Sequence, residues 1–237
     1  MKKFKIKIFA DGANLDSIIR DNKKKFISGF TTNPSLMAKA KIGDYKKFGY
    51  KICQKVRKKH LSFEVISDNH QDIIKEAKII SNFGKNAFVK IPIVNSKGKS
   101  NLKAIASCCE LGINLNITAV FTFEQVVSIF SSTKKNKSKI IISIFAGRIA
   151  DTGKDPCHII SKAIKLVKTQ KRYEVLWAST REVFNIYQAE KLGCHIITVT
   201  SDVLNKLKLY NKDLLKYSIE TSKSFFDDAK KSKISLL

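Results

Sequence analysis

Eight short runs rich in Ile, Val and Phe recur along the chain, at 5–10, 26–31, 61–66, 87–92, 113–120, 139–145, 174–178 and 195–199. Longer stretches separate them, and in 68–82, 97–111, 122–131, 154–169 and 181–192 the apolar residues fall at three- and four-residue spacing. Uninterrupted apolar strands alternating with amphipathic helices are the mark of βα units around a parallel sheet buried on both faces. Eight strands close a barrel, so the expected fold is α/β, a single-domain (β/α)8 TIM barrel spanning residues 1–237. The gap between the second and third runs is long enough for two helices. Gly112 and Gly193 stand where helix ends need a left-handed residue. From about residue 203 the chain reads as a helical tail, with Leu214, Leu215, Ile219, Phe225 and Phe226 as its apolar residues. That tail is placed either across the barrel or against a neighbouring subunit, the second of which implies a homo-oligomer.

Composition narrows the functional classes. Of the 237 residues 43% are hydrophobic and 27% charged, as in ordinary globular proteins. Forty-five Lys and Arg against 20 Asp and Glu leave a formal charge of +25, which attracts phosphate-bearing partners of any kind. The lysines are scattered through nearly every segment and no nucleic-acid recognition motif accompanies them. A solvated lysine-rich surface is therefore preferred to a nucleic-acid partner. Cys53, Cys108, Cys109, Cys157 and Cys194 are odd in number and form no CxxC pair, so neither a disulfide framework nor a zinc site is expected, and a reducing cytoplasm is. The opening MKKFKIKIFADG is too short and too charged for a signal peptide, and no segment has the roughly 18 uninterrupted apolar residues of a membrane span. Gly98-Lys99-Ser100 is not a phosphate-binding loop, because Ile93 occupies the position of its first glycine.

In a barrel of this type, side chains at the C-terminal ends of the strands and in the loops beyond converge on one face. Asp11 closes the first run, Asn33 follows the second and Glu64 lies near the end of the third. Lys90 lies in the fourth, Asn116 and Thr118 in the fifth, Ser143 and Arg148 around the end of the sixth, and Ser179 and Arg181 after the seventh. Lys90 interrupts AFVKIPI, a strand that should be buried on both faces. One reading is a desolvated lysine, kept as a neutral amine able to attack a ketone; the other is a strand-end lysine reaching solvent or pairing with Glu64. The residue types alone do not choose. Asp11 and Glu64 are placed for general acid or base work, although Asp11 also suits a helix N-cap near Ala13. Asn33 in TTNPS is equally ordinary helix-start chemistry, and Arg148 and Arg181 have Asp151 and Glu182 as available surface partners.

Taken together, these residues lie in blocks that resemble the transaldolase family, including its smaller members and the fructose-6-phosphate aldolases. The similarity runs from about residue 9 to residue 202. TTNPSLMAKA at Thr31, AFVKIP around Lys90, NLNITAVFT at Asn114, FAGRIAD at Phe145 and WASTREV at Trp177 follow in the family's order and spacing. The resemblance implies Lys90 as a Schiff-base lysine and Asp11 as the group acting on the hydroxyl whose deprotonation drives C–C cleavage. It implies Glu64 and Thr118 as holders of a proton-shuttling water. Asn33 and Asn116, with Ser143 and Ser179, would line the dihydroxyacetone site, and Arg148 and Arg181 would hold the phosphate. No cofactor, metal, nucleic acid or membrane is implied; the partners are phosphorylated sugars of carbohydrate metabolism, in the pentose phosphate pathway. Phe145 and Glu64 match transaldolases rather than the aldolases, which carry tyrosine and glutamine there. Gly12 departs from the family's usual threonine and Thr180 from its common aromatic. A basic nucleic-acid-binding protein and a non-catalytic barrel are the remaining alternatives.

Overall fold

The computed structural model describes residues 4–234. Its eight strands are β1 (Lys7–Asp11), β2 (Ile27–Thr31), β3 (His60–Glu64), β4 (Ala87–Pro92), β5 (Leu115–Val120), β6 (Ile140–Ile144), β7 (Tyr173–Trp177) and β8 (Ile196–Thr200). Each pairs in parallel with the next, and β8 returns to β1, so the sheet is a closed barrel with no free edge. The eight expected runs are these eight strands. They read as continuous apolar stretches because one set of side chains meets the helices and the alternate set points into the lumen. In β6 every residue is buried.

The outer core joins strand residues such as Ile8, Val89 and Ile117 to helix residues such as Ile73, Ile105, Val126 and Ile160. These helix residues come from α4 (His70–Ser81), α5 (Leu102–Glu110), α6 (Phe123–Thr133) and α8 (Cys157–Val167), which with α9 (Phe184–Lys191) occupy the expected helical stretches to within a few residues at each end. Asn69 caps α4, and Thr122 with Gln125 forms a capping box on α6, satisfying backbone N–H groups that the first turn leaves free. The expected pair between the second and third strands is α2 (Pro34–Lys39) and α3 (Tyr45–Lys55). Gly112 and Gly193 have φ of +74° and +76°, as helix ends of this kind require.

Three parts of the chain differ from expectation. Two short helices stand between runs: α1 (Leu15–Asn22), for which the sequence offered only a start near Ala13, and α7 (Ala146–Ala150), which was not expected. The tail is not one helix: α10 (Ser201–Lys206) packs on β8 and β1 and is followed by a 3-10 turn at Leu207–Leu209. Asn211, at φ +57°, then breaks the path before α11 (Leu214–Lys231), because a left-handed residue cannot continue a helix. No residue of α11 is buried. Leu214, Leu215, Ile219, Phe225 and Phe226 all face solvent, so only the start of the tail, through α10, packs on the barrel.

Candidate active site

The lumen is layered. Towards the N-terminal ends of the strands lie Phe9, Ile141, Leu176 and Ile196, an apolar plug. Above it the inward positions turn polar: Ser62, Asn116 and Ser143, then Asp11, Glu64, Lys90 and Thr118. Above these opens a cavity of about 540 Å³. Nine of the ten expected site residues line it, and the tenth, Asn116, is fully buried beneath and accepts a 2.6 Å hydrogen bond from the Ser143 hydroxyl.

Lys90 is only 7% exposed, and its Nζ lies 2.9 Å from Glu64 Oε2 and 3.3 Å from the Thr32 carbonyl oxygen. Glu64 and Lys90 are register partners across β3 and β4, and Lys90 and Asn116 across β4 and β5, so the ladder itself sets them side by side. The pairing with Glu64 that the sequence allowed is present, and it lies inside the barrel, where the amine is withdrawn from water.

Asp11 ends β1 and does not cap a helix, since Asn14 caps α1 through Ser17 N. Its Oδ1 accepts from the Thr31 hydroxyl at 2.7 Å, and Thr31 meets the Thr198 hydroxyl at 2.5 Å. Burial pushes the Asp11 carboxyl above the usual carboxylate range; the Lys90 charge and the Thr31 hydrogen bond offset part of that rise, and Glu64 adds to it. Thr118 has a buried hydroxyl with no protein partner among the described residues. It is followed by Ala119 at φ +55°, where the β5–β6 register shifts. Ser179 has φ +62°, so two non-glycine residues on the cavity wall hold left-handed backbone conformations.

Asn33 caps α2, its Oδ1 accepting from Leu36 N, which is the helix-start chemistry the sequence allowed, and it also lines the cavity. Arg148 sits over the Phe145 ring, its guanidinium carbon 5.4 Å from the centroid. Arg181 is half exposed and bound to Asp151 by two nitrogens, the surface pairing that the sequence allowed. Asp151 does not withdraw it from the cavity, which Arg181 still lines. Gly147, inside α7, lies so close to the following loop that a Cβ there would stand 1.6 Å from the Ser179 carbonyl oxygen.

Several contributors were not picked out from the sequence. Thr31 and Thr198 hold Asp11, and Ser62 holds Asn116 through a 3.0 Å bond from Nδ2. Ser62 and Thr198 each stand between two apolar residues, the signal that marked Lys90 in weaker form, whereas Thr31 closes β2 beside Thr32. Lys39 lines this cavity and an adjoining one of about 260 Å³ that also touches Asp11 and Gly12. The departure at Gly12 therefore faces open space: no atom lies within 4 Å of where a Cβ would sit. Thr180, the other departure, is buried and donates to the Thr198 carbonyl. Among the described residues no cluster of three or more His, Cys, Asp or Glu side chains is placed to hold a metal ion. No helix among them is long and apolar enough to cross a membrane.

Comparison with known proteins bears on this arrangement. The family described as Transaldolase/Fructose-6-phosphate aldolase matches residues 8–236. A probable transaldolase of Nitrosopumilus maritimus is 34% identical over 204 residues, covering 85% of this chain and 87% of the relative. One from Thermoanaerobacter sp. is 34% identical over 203 residues, 85% and 89% of the two chains, and one from Methanococcus vannielii 32% identical over 216 residues, 91% and 94%. Among solved structures, KGPDC from Streptococcus mutans superposes with a TM-score of 0.56 at 9% identity, over 84% of this chain and 88% of that one. A putative fructose-1,6-biphosphate aldolase from Coccidioides immitis gives 0.56 at 12%, over 89% and 82%. At such identities these two share the barrel and nothing finer. The family match, by contrast, runs from residue 8 to residue 236 and so takes in Asp11 and every later residue on the cavity wall, and the chain belongs to the transaldolase/fructose-6-phosphate aldolase family.

Proposed function

We propose that Lys90 forms a Schiff base with a phosphorylated ketose such as fructose 6-phosphate or sedoheptulose 7-phosphate, and that the enzyme passes the resulting dihydroxyacetone unit to an aldose phosphate. The observation that carries the reading is the Lys90 nitrogen, enclosed in the lumen 2.9 Å from the Glu64 carboxylate and opening onto a cavity that Asp11 also lines. Glu64 takes the lysine's proton, and the freed amine attacks the ketone carbon to give a carbinolamine. Thr118 and Glu64 flank the place for a water that carries protons in this step. Loss of the former carbonyl oxygen as water leaves an iminium at Lys90.

Asp11 then removes the proton from the hydroxyl on C4. The C3–C4 bond breaks, its electron pair moves into the iminium to form an enamine, and the aldose phosphate leaves as an aldehyde. An incoming aldose phosphate meets the enamine, the new C–C bond forms, and Asp11 returns its proton to the developing alkoxide. Hydrolysis of the iminium frees the product ketose. Arg148 and Arg181, two of the cationic residues on the cavity wall, are placed to hold the phosphate through charge-assisted hydrogen bonds. Phe145 and Glu64, the transaldolase residues at their positions, favour transfer over release of free dihydroxyacetone.

The test is borohydride reduction in the presence of fructose 6-phosphate followed by peptide mass mapping. A three-carbon adduct is expected on the peptide holding Lys90 and absent from Lys90→Ala. Lys90→Arg should fold and be inactive, because a guanidinium stays protonated; turnover by that variant would remove Lys90 from the chemistry. Measuring transfer to erythrose 4-phosphate against release of dihydroxyacetone then separates transaldolase from aldolase action.

A further inference from the structure

The polar layer under the candidate site does not end at Ser62. His60 opens β3 at the floor of the barrel, and its Nε2 lies 2.7 Å from Ser62 Oγ. Its ring is held between Phe9 and Phe88, with centroids 4.9 and 3.9 Å away. Across the β2–β3 ladder stands Gly29, where a Cβ would come within 2.8 Å of the Phe9 ring and 2.9 Å of His60 Cβ, so the imidazole is packed in one pose. Burial pushes His60 down to about 3, with the Lys7 and Lys139 charges acting in the same direction, so the ring is neutral. A neutral imidazole has one nitrogen that donates and one that accepts.

Four side chains therefore form a line: Ser143 on the cavity wall, Asn116, Ser62 and His60. Ser143 donates to Asn116 Oδ1 at 2.6 Å, and Asn116 Nδ2 donates to Ser62 Oγ at 3.0 Å. Each serine has one proton. That of Ser143 is used on Asn116; Ser62 is 1% exposed and already accepts from Asn116, so its own proton is satisfied by donation to His60 Nε2, its other side-chain partner among the described residues. Every donor in the line points to the floor, which leaves the histidine proton on Nδ1.

We propose that His60 is a positioning residue that sets the direction of this line, so that Ser143 offers its lone pairs, and not its proton, to a donating hydroxyl of the bound substrate. Were Nε2 protonated, the order would invert. His60 would donate to Ser62, Ser62 to a flipped Asn116 amide, Asn116 to Ser143, and Ser143 would aim a proton at the cavity. One proton at the floor thus decides which hydrogen-bonding character the wall presents. The inference deepens the proposed ketose-phosphate reading and rests on it for the identity of the hydroxyl, but the tautomer itself does not.

The test has two arms. In 15N NMR of the histidine-labelled full-length protein, with the His60 resonances assigned by their loss in His60→Phe, Nε2 should show the shift of an unprotonated acceptor and Nδ1 that of an N–H. A protonated Nε2 overturns the proposal whatever the enzyme does. In the kinetic arm, His60→Phe keeps a ring between Phe9 and Phe88 but cannot accept, and should raise KM for fructose 6-phosphate about tenfold with little change in kcat. His60→Gln, whose amide oxygen can accept from Ser62, should restore most of that loss. A merely structural role predicts no such rescue, and equal KM in wild type and His60→Phe overturns the proposal. If His60→Phe fails to fold, assignment and kinetics both pass to His60→Gln, whose KM should stay near that of wild type. Failure to trap an adduct at Lys90 would sink the ketose chemistry and leave the NMR result standing on its own.

Discussion

Asp11 stands in a place that disfavours its charged form. Its folded-state pKa lies above the ordinary carboxylate value because burial outweighs the help from Lys90 and Thr31. Between those two values the folded chain holds one more proton than the unfolded chain. Stability therefore declines as pH rises through that window and stays lower above it. Asp11→Asn keeps an oxygen for Thr31 to donate to and removes the charge; it should raise the melting temperature at neutral pH while slowing turnover by about 10²–10⁴-fold. The acid limb of the wild-type activity profile should lie above the pH at which a free aspartate titrates, and it should be missing from the variant. A lower melting temperature in calorimetry would contradict the desolvation account. Residues such as Asp11 and Lys90 were legible because a charge in an apolar strand is conspicuous. Thr31, Ser62 and Thr198 were not, because small hydroxyl residues fit strands without a functional reason.

At the scale of elements, the contact between α7 and the loop after β7 is the tightest constraint on the cavity wall. Gly147 N donates to the Ala178 carbonyl at 3.3 Å, and the space beside Gly147 is filled by the Ser179 peptide itself. A side chain there meets backbone, which no rotamer change can relieve. Gly147→Ala should destabilise the fold by about 1–3 kcal/mol. It should also displace Ser179 and Arg181 and raise KM for phosphate-bearing substrates more than it lowers kcat. An unchanged melting curve and KM would show that the loop yields without harm. The strand rhythm and most helices were readable from apolar spacing, whereas α7 was not: its five residues, AGRIA, are too few to show a period. The close approach that explains its glycine is a contact between segments 32 residues apart in sequence and leaves no local pattern.

For the molecule as a whole, the barrel and α11 stand apart energetically. No residue of α11 is fully buried, and Lys212, on the approach to it, pairs with Glu220 and lies 4.4 Å from the Tyr217 ring centroid. Exposed pairs of this kind contribute about 0–1 kcal/mol. A chain ending at Lys212 should therefore melt at the same temperature as the full chain and keep its activity on fructose 6-phosphate. A marked fall in either would show that the helix is covered by some surface in solution. Sequence periodicity marked the helix and its apolar residues but not the break at Asn211 that turns them away from the barrel.

The pairing of Glu64 with Lys90, and of Lys90 with Asn116, belongs to the ladder that closes the sheet. Moving β4 by a single residue along its neighbours would swing the lysine out among the helices and bring a valine or an isoleucine into the lumen in its place. Assembly and cavity therefore share one alignment: a chain threaded out of step would lose the Lys90 amine from its lumen at the same moment as its proper shape. On the proposed chemistry, a barrel misaligned at β4 would be inert.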